Sequence, residues 1–316
     1  MNTLVSINLC CYNSEKYLRE TLQSIAGQTY KDWELVIVND GSTDSTESII
    51  FEFRDQGHRV VYHCQENRGI AASRNKAIEL SRGAYIAFID HDDIWMPELL
   101  ARQLAAFDEA AILVYGNFLM RDMTTGKEYM PFDPAREFHS GRVTNKLVKK
   151  NFILIETAVV RADAVHRLGE LFDPKLRMAD DIDFLLRLSL AGNFKYTREV
   201  GMIYRMHPEN VTNTKRHYYV HDLSYMLQKY RGKLGRRMLR DLARQYILTV
   251  RIDLNYSGFR VFPFFLLGFN IKHVIISLLL PFSGDRNILE VKAALLKPFR
   301  YLRSVLARRN KDEKAR

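Results

Sequence analysis

The sequence predicts an α/β protein with a mostly parallel central sheet flanked by helices, followed by a C-terminal helical extension. Between Leu4 and Ile89, segments typical of strands alternate with segments typical of helices, which favours a parallel sheet with helices on both faces. The strand segments are continuous apolar runs, as in strands buried on both faces. The extension is predicted because Lys229–Arg316 combines an excess of positive charge with a long apolar stretch.

The first part of the chain supplies the regular alternation. In order, the predicted elements are the strand Leu4–Leu9, a helix between Ser14 and Gly27, the strand Trp33–Val38, a helix from Thr43 or Asp44, the strand Arg59–His63, a turn at Asn67–Gly69 leading into a helix that reaches Leu80, and the strand Tyr85–Ile89. Ser14 is expected to cap the first helix by accepting a hydrogen bond from a free backbone N–H. Neither Gly-x-Gly-x-x-Gly after the first strand nor Gly-x-x-x-x-Gly-Lys-Ser/Thr occurs, which disfavours dinucleotide oxidoreductases and P-loop NTPases.

The middle of the chain alternates less regularly. The predicted elements are the helix Pro97–Phe107, the strand Ile112–Leu119, a hairpin turn at Asp122–Glu128, the helix Val143–Lys150, the strand Thr157–Arg161, a helix opening at Met178–Asp183, strands at Phe194–Thr197 and Gly201–Tyr204, and a helical region at Tyr218–Tyr256. These elements continue the α/β pattern, because strands and helices still follow each other through short connections.

An acidic cluster directly follows the strand Tyr85–Ile89: Asp90, Asp92 and Asp93 stand within four positions. Like charges this close raise each other's pKa unless a cation lies among them, and hard carboxylate oxygens suit Mg²⁺ or Mn²⁺. Open α/β sheets bind ligands beyond the carboxyl ends of their strands, which is where this cluster is expected. The alternative is a loop of solvated acids in which Asp93 caps the helix that begins near Pro97.

A second acidic cluster, Asp180, Asp181 and Asp183, stands at a predicted helix start. Acids there can serve as caps that interact with the helix dipole, or one can be a rigidly held general base for a hydroxyl nucleophile. His207 is similarly either structural or a ligand for a metal or diphosphate. Four basic residues could pair with phosphate, with surface solvation as the alternative for each: Arg68, Arg74, Arg205 and Lys215.

The composition is that of a globular protein with an uneven charge. The 316 residues carry a net charge of +10. The segment Lys229–Arg316 accounts for +14 and the rest of the chain for −4. The three cysteines, at positions 10, 11 and 64, match neither a zinc site nor a disulfide framework, and Met1–Leu9 lacks the features of a signal peptide. We therefore expect a cytosolic catalytic domain, residues 1–217, joined to an extension, residues 218–316, that meets an anionic surface.

The extension contains the apolar stretch Gly258–Phe282. Prolines and polar residues interrupt it, so it falls short of the roughly 20 continuous apolar residues that a transmembrane helix needs. We expect it to lie on or dip into a membrane face, with its basic residues against anionic lipid. The alternative is a helical subdomain that packs on the catalytic domain or on a second copy of the chain.

Six motifs in this order resemble the family 2 glycosyltransferases of the GT-A fold, over about Leu4–Thr212. They are Val5-Ser-Ile with Tyr12–Leu18, Val36–Asp44, Asn67–Asn75, Ile89–Asp93, Ala179–Asp183 and Tyr204–His207. The resemblance implies a nucleotide-sugar donor, most often UDP-linked, inversion at the anomeric carbon and a divalent ion, Mn²⁺ or Mg²⁺. The chain departs from the family pattern at Cys10-Cys11, at Asp180 where Glu is usual, and at the bulky His91.

The resemblance also implies roles for individual residues. Asp181 takes the position of the catalytic base, and Asp92 and His207 take those of the metal ligands. The positions implied to bind the nucleotide sugar are Tyr12, Asn13, Asp40, Arg68, Arg74, Asp90 and Asp92. Among these, Tyr12 and Asp40 would contact the base, and Asp90 and Asp92 would lie at the ribose and the ion.

These observations lead to one functional hypothesis and two alternatives. We expect an inverting glycosyltransferase that acts peripherally at the inner face of the cell membrane on a lipid-linked saccharide, oligosaccharide or polysaccharide precursor. A sugar-phosphate nucleotidyltransferase would need a Gly-rich basic loop after the first strand, which Tyr12–Ser14 does not offer. A non-catalytic membrane-binding protein would leave both acidic clusters unexplained. We expect no nucleic-acid partner, because the basic tail carries no recognisable RNA-binding motif, and an oligomer is possible.

Overall fold

The structure is a computed structural model that describes residues 3–134, 137–214 and 217–256. The strands are β1 (Val5–Cys11), β2 (Trp33–Asn39), β3 (Val60–Cys64), β4 (Tyr85–Asp90), β5 (Ile94–Trp95), β6 (Ala111–Asp122), β7 (Glu128–Tyr129), β8 (Val159–Arg161) and β9 (Asn193–Met206). The helices are α1 (Leu18–Ala26), α2 (Thr46–Asp55), α3 (Ile70–Leu80), α4 (Leu99–Ala105), α5 (Thr144–Leu147), α6 (Ala162–His166), α7 (Asp180–Ala191), α8 (Val211–Thr214), α9 (His217–Lys229) and α10 (Arg236–Tyr256), with one 3₁₀ turn at Ile155–Thr157.

The described strands form one nine-stranded sheet in the order β3-β2-β1-β4-β8-β6-β9-β5, with β7 paired to β6. The strands β3, β2, β1 and β4 are parallel, as the alternation of strands and helices predicts. In the second half, β9 runs parallel to β6, while β8, β7 and β5 are antiparallel to their neighbours. The parallel half therefore places the carboxyl ends of β1, β2 and β4 at one edge of the sheet.

Both faces of the parallel half are covered, which confirms that the continuous apolar runs are fully buried strands. In β2, Leu35 and Ile37 pack with α1 and α2, whereas Val36 and Val38 point to the opposite face and pack with α3. The other strands alternate in the same way, because successive side chains of a strand point to opposite faces. The sheet is thus a rigid platform for the loops at its carboxyl edge.

The prediction that Ser14 caps the first helix is wrong. Its hydroxyl accepts a hydrogen bond from Tyr12 N (3.1 Å), and α1 begins later, with Tyr17 in the N-cap position and no side-chain cap. Ser14 therefore closes the turn after β1.

The two strands expected between Phe194 and Tyr204 are one long strand, β9. Pairing with β6 holds β9 together across register shifts near Asn117. The helical region expected at Tyr218–Tyr256 is divided into α9 and α10, and Gly232 lies between them with a φ of +80° that favours glycine.

Helix α9 is fastened to the start of α7. Asp222 Oδ2 accepts hydrogen bonds from the backbone N–H groups of Arg177 (2.8 Å), Met178 (2.6 Å) and Ala179 (3.0 Å). Because these are the residues that lead into α7, α9 helps to fix where that helix begins. The boundary expected at residue 217 stays a prediction, and the stretch Gly258–Phe282 lies outside the described residues. Within the ranges described, none of the helices has both the length and the apolar character that crossing a bilayer demands.

Candidate active site

The carboxyl edge of the parallel strands brings together residues that lie far apart in the sequence. The register pairs Cys10 of β1 with Asp90 of β4, and Cys11 with Asn39 of β2. The loops after these strands hold Tyr12, Asn13 and Asp40, so these predicted donor-binding residues share one edge with Asp90. Cys10 and Cys11 are buried, as expected for small core residues at a strand end.

The loop after β1 is locked to the loop after β2 through Asn13. This residue adopts a φ of +49°, in the left-handed region that asparagine tolerates better than most residues. Its N–H donates to Ser42 Oγ (3.0 Å), and its Oδ1 accepts from Thr43 N (2.9 Å). The neighbouring Tyr12 side chain is 49% exposed and offers an aromatic face at this edge.

Asp40 is buried and organises the loop that precedes α3. Its Oδ1 accepts hydrogen bonds from Gln65 Nε2 (2.7 Å) and Arg68 N (2.9 Å), and its Oδ2 accepts one from Gly69 N (2.8 Å). Sequence reasoning missed this structural role. Since a carboxylate oxygen can accept two hydrogen bonds, Oδ2 keeps room for one further donor. The Arg68 side chain is exposed.

Arg74 joins the two acidic clusters. From α3, its Nη1 donates to Asp180 Oδ2 (2.9 Å) and its Nη2 donates to Asp90 Oδ1 (3.1 Å), with Glu156 Oε1 3.6 Å from Nη2. The guanidinium also lies over the ring of Phe172 (5.4 Å). Arg74 is therefore buried, not solvated, and one cation connects the end of β4 with the start of α7.

The acids around Arg74 differ in exposure. The side chain of Asp90 is 38% exposed, whereas those of Asp180 and Glu156 are 4% and 6% exposed. Burial raises the pKa of Asp180, and the positive charge of Arg74 opposes this rise. Burial, together with the charge of Asp90, raises the pKa of Glu156 well above its usual range. This shift favours the neutral form of Glu156.

Glu156 is a site residue that sequence reasoning missed. The 3₁₀ turn Ile155–Thr157 holds it inside the apolar segment Phe152–Val160, and its Oε2 has no hydrogen-bond partner among the described residues. Trp95 Nε1 donates to its backbone oxygen (2.8 Å), which fixes the turn. A single acid within an apolar segment was the signal that could have identified it.

The three acids at the start of α7 have different surroundings. Asp180 pairs with Arg74, and Asp183 is fully buried between Lys229 Nζ (3.0 Å) and the Tyr230 hydroxyl (2.8 Å). Asp181 is half-buried and forms no ion pair within the described chain. Burial and the adjacent charge of Asp180 raise the pKa of Asp181 to about 7. Asp181 is thus the acid of this cluster that is available as a base near neutral pH.

A separate group links β4 to the end of β9. His207 Nε2 lies 3.1 Å from Asp92 Oδ2, and Asn210 Nδ2 donates to the same oxygen (3.2 Å). Although burial opposes it, the hydrogen bond from His207 lowers the pKa of Asp92. The Nδ1 atom of His207 is buried, lies 3.8 Å from Glu209 Oε2 and has no hydrogen-bond partner in the part of the chain that the structure describes. The two predicted metal ligands are therefore brought together.

Asp93 and Arg205 have structural roles. Asp93 is fully buried and its Oδ1 accepts from Arg205 N (3.1 Å), while α4 begins at Leu99 without a side-chain cap. The alternative in which Asp93 caps that helix is therefore wrong. Arg205 is also fully buried and pairs with Glu20 (2.7 Å), so it is neither solvated nor available to phosphate. Lys215 lies outside the described residues.

The donor set suits a divalent cation that has other ligands besides protein. Within the described ranges, His, Cys, Asp and Glu side chains form no group of three or more that could hold a metal ion by itself. Asp92 and His207 offer one carboxylate and one imidazole. Mg²⁺ and Mn²⁺ are commonly held by one or two carboxylates together with substrate phosphates, so this pair fits such an ion in part.

Comparison with known proteins identifies the family. The family described as glycosyl transferase family 2 matches residues 6–169. An uncharacterized glycosyltransferase of Rickettsia typhi is 29% identical over 216 residues, which cover 67% of this chain and 66% of that protein. This chain thus spans just under two thirds of that relative's length. EpsH of Bacillus subtilis, a protein named as a glycosyltransferase, is 32% identical over 73% of this chain and 64% of its own.

Solved structures share the fold at low sequence identity. Residues 1–349 of S. aureus TarS, solved in complex with UDP, match with a TM-score of 0.59 and 21% identity, over 83% of this chain and 74% of that chain. The mannosyltransferase PcManGT of Pyrobaculum calidifontis, solved with GDP-Man and Mn²⁺, matches with a TM-score of 0.61 and 17% identity, over 97% and 85%. The predicted α/β fold class is confirmed. The chain belongs to glycosyl transferase family 2 and has a GT-A-like fold.

Proposed function

We propose that this glycosyltransferase moves a sugar from a UDP-sugar to a hydroxyl of a lipid-linked saccharide or polysaccharide precursor, with inversion and with the help of a divalent ion. The observation that carries the proposal is the position of Arg74 between Asp90 and Asp180. Arg74 links Asp90, expected at the donor, to Asp180, the neighbour of the expected base Asp181, which supports one shared site.

The donor would bind at the carboxyl edge of the parallel strands. The exposed ring of Tyr12 can stack on a base, and the remaining acceptor position on Asp40 Oδ2 can receive an N–H from it. Arg68 supplies an exposed positive charge, Arg74 holds Asp90 in position, and Asn13 holds the loop in place. The UDP bound to TarS, a protein of similar fold, supports the choice of nucleotide, and Asp90 is the exposed carboxylate that can meet the ribose.

A divalent ion would be held by Asp92 and His207. When bound, it would supply Lewis-acid stabilisation to the diphosphate leaving group. The 3.1 Å separation of His207 Nε2 from Asp92 Oδ2, which would let both atoms contact one ion, and the lowered pKa of Asp92 support a site that accepts a cation. The Mn²⁺ in the PcManGT complex supports the choice of ion.

Asp181 would act as the general base. Its carboxylate takes the proton of the acceptor hydroxyl while that oxygen forms a bond to the anomeric carbon, and the bond to the diphosphate breaks with its electrons leaving on UDP. A single displacement of this kind inverts the anomeric configuration. The position of Asp181 beside Arg74's partner Asp180, its partial exposure and its pKa of about 7 support this role.

The acceptor and location are proposed from the relatives and from the charge of the chain. TuaG of Bacillus subtilis, named for teichuronic acid biosynthesis, is 29% identical over 67% of this chain and 82% of its own. The net charge of +14 in Lys229–Arg316 favours a peripheral site on the anionic inner face of the cell membrane.

One experiment tests the reaction. The protein is incubated with a panel of UDP-sugars and GDP-sugars, Mn²⁺ and acceptor lipid extract, and nucleotide release is followed for the wild type, Asp92→Ala and Asp181→Asn. We expect Asp181→Asn to bind donor and lose transfer, and Asp92→Ala to lose metal-dependent donor binding. Asp163→Asn, an exposed acid on α6, is the matched control. Nucleotide release that neither site variant changes would falsify the assignment.

A further inference from the structure

A concave site lies against α10. A pocket of about 610 Å³ is lined by Lys149, Arg237, Arg240, Asp241 and Arg244. None of these residues takes part in the cluster around Arg74. Helix α5, which precedes Lys149, contacts α7 through a hydrogen bond from Thr144 Oγ1 to Ser189 O (2.9 Å).

The lining of the pocket carries four cations and one carboxylate. Arg237, Arg240 and Arg244 are three and four residues apart on α10, so they project from one face of the helix. Asp241 is mostly buried and pairs with Arg244 (3.2 Å). Within the described residues, Lys149, Arg237 and Arg240 form no ion pair. Three unpaired cations therefore line one concavity.

Electrostatic repulsion makes such an arrangement unfavourable unless an anion binds among the cations. Like charges on neighbouring positions of a helix repel one another, and a concave surface focuses their combined field. The guanidinium fork matches the oxygens of phosphate in bidentate fashion, and Lys adds a point charge. The volume is within the range of pockets that hold small ligands. The alternative is that each of these side chains is solvated separately. That alternative gives no reason for three arginines on one helix face to share a pocket with a lysine from another segment.

We propose that this pocket binds a phosphate or diphosphate group. The group can belong to a soluble phosphorylated compound or to a phospholipid headgroup, which present the same oxygens. The inference does not depend on the identity of the sugar donor or on the proposed reaction, because it rests on residues outside that site.

The test uses the full chain and the double variant Arg237→Gln/Arg240→Gln, which removes two charges and keeps side chains of similar polarity. Arg236→Gln is the matched control, because Arg236 is exposed on the same helix and does not line the pocket. Binding of inorganic diphosphate is measured by calorimetry without added metal and with UDP in excess, so that the donor site is not the one observed. We expect the double variant to bind at least about tenfold more weakly, as for the loss of one charge-assisted hydrogen bond, and the control to bind like the wild type.

A second arm distinguishes the sources of the phosphate. The same proteins are floated with vesicles of phosphatidylcholine alone and with added phosphatidic acid. Loss of flotation on phosphatidic acid in the double variant assigns the pocket to a lipid headgroup, and loss of diphosphate binding alone assigns it to a soluble compound. Equal unfolding midpoints show that the variants fold. The proposal is overturned if the wild type binds neither probe, if the double variant binds both like the wild type, or if Arg236→Gln is equally weakened.

Discussion

Replacing Arg74 with methionine removes the cation that joins the two acidic clusters while keeping an unbranched side chain of similar length. Asp90 is 38% exposed and can regain water, and burial already raises the pKa of Glu156 well above its usual range. Asp180, at 4% exposure, loses its partner and must either stay charged or take up a proton. At pH 7, protonating a carboxyl with an ordinary pKa of 3.8 costs about 4 kcal/mol. This is an upper limit, because burial already raises that pKa in the wild type, so we expect the variant to lose about 2–4 kcal/mol of unfolding free energy.

Urea unfolding at pH 7 and pH 5 measures this loss. Without Arg74, the pKa of Asp180 in the folded chain lies further above its value in the unfolded chain than it does in the wild type. The unfolding free energy of the variant is therefore highest at low pH and falls as the pH rises. The loss relative to the wild type should therefore be smaller at pH 5, where protonating the same carboxyl costs only about 2 kcal/mol. Arg54→Met, which breaks an exposed pair with Asp55, is the control and should change stability by less than about 0.5 kcal/mol.

The double variant Arg74→Met/Asp180→Asn completes the test. Because asparagine carries no charge, removing both partners should restore at least half of the lost stability. A loss no larger than that of Arg54→Met, or the same loss at both pH values, would refute the argument that Arg74 compensates a buried carboxylate.

Three further predictions concern the other parts of the site. If Asp181 is the base, kcat/KM should rise about tenfold per pH unit below pH 7 and level off above it, because only the ionised form accepts a proton. Asp180→Asn should shift the rising part of this pH profile to lower pH, since it removes a charge that raises the pKa of Asp181. A flat pH–rate profile would exclude this role. Asp92→Ala should raise the Mn²⁺ concentration that gives half-maximal donor binding by about tenfold or more, measured by calorimetry; an unchanged Mn²⁺ dependence would remove Asp92 from the metal site. Asp40→Asn should lower the unfolding free energy measured in urea by about 1–3 kcal/mol, because the backbone N–H groups of Arg68 and Gly69 lose a carboxylate acceptor. An unchanged unfolding free energy would show that the loop does not depend on this carboxylate.

The parallel half of the fold was predictable because its signals are local. The run Trp33–Val38 is apolar without alternation, and a strand of that kind needs cover on both faces, which α1, α2 and α3 provide. Ser14 shows the limit of such rules. A serine before a helix is a good cap, but a turn that must close after β1 offered its hydroxyl a nearer partner in Tyr12 N.

The sequence analysis did not single out the residue that joins the two acidic clusters. Taken alone, Arg74 suggested either a solvated surface position or a phosphate contact. Its place on α3 held the missing information: Ala71, Arg74, Ala77 and Ile78 are the buried positions of one helical face. A cation on the apolar stripe of a helix must have a buried anionic partner, and the acids at the ends of β4 and α7 meet that need.

Differences in burial distinguish acids that look equivalent in the sequence. Asp90, Glu156 and Asp180 surround one guanidinium, and a single positive charge cannot compensate three carboxylates in a dry site. Burial raises the pKa of Glu156 well above its usual range, which favours its neutral form. Asp180 pairs with Arg74 at 2.9 Å, and Asp90 is partly exposed to solvent. Asp90 is therefore the acid of this group that a ligand can reach, and the other two hold Arg74 in position. That division of roles depends on exposure in the folded chain, which short motifs do not encode.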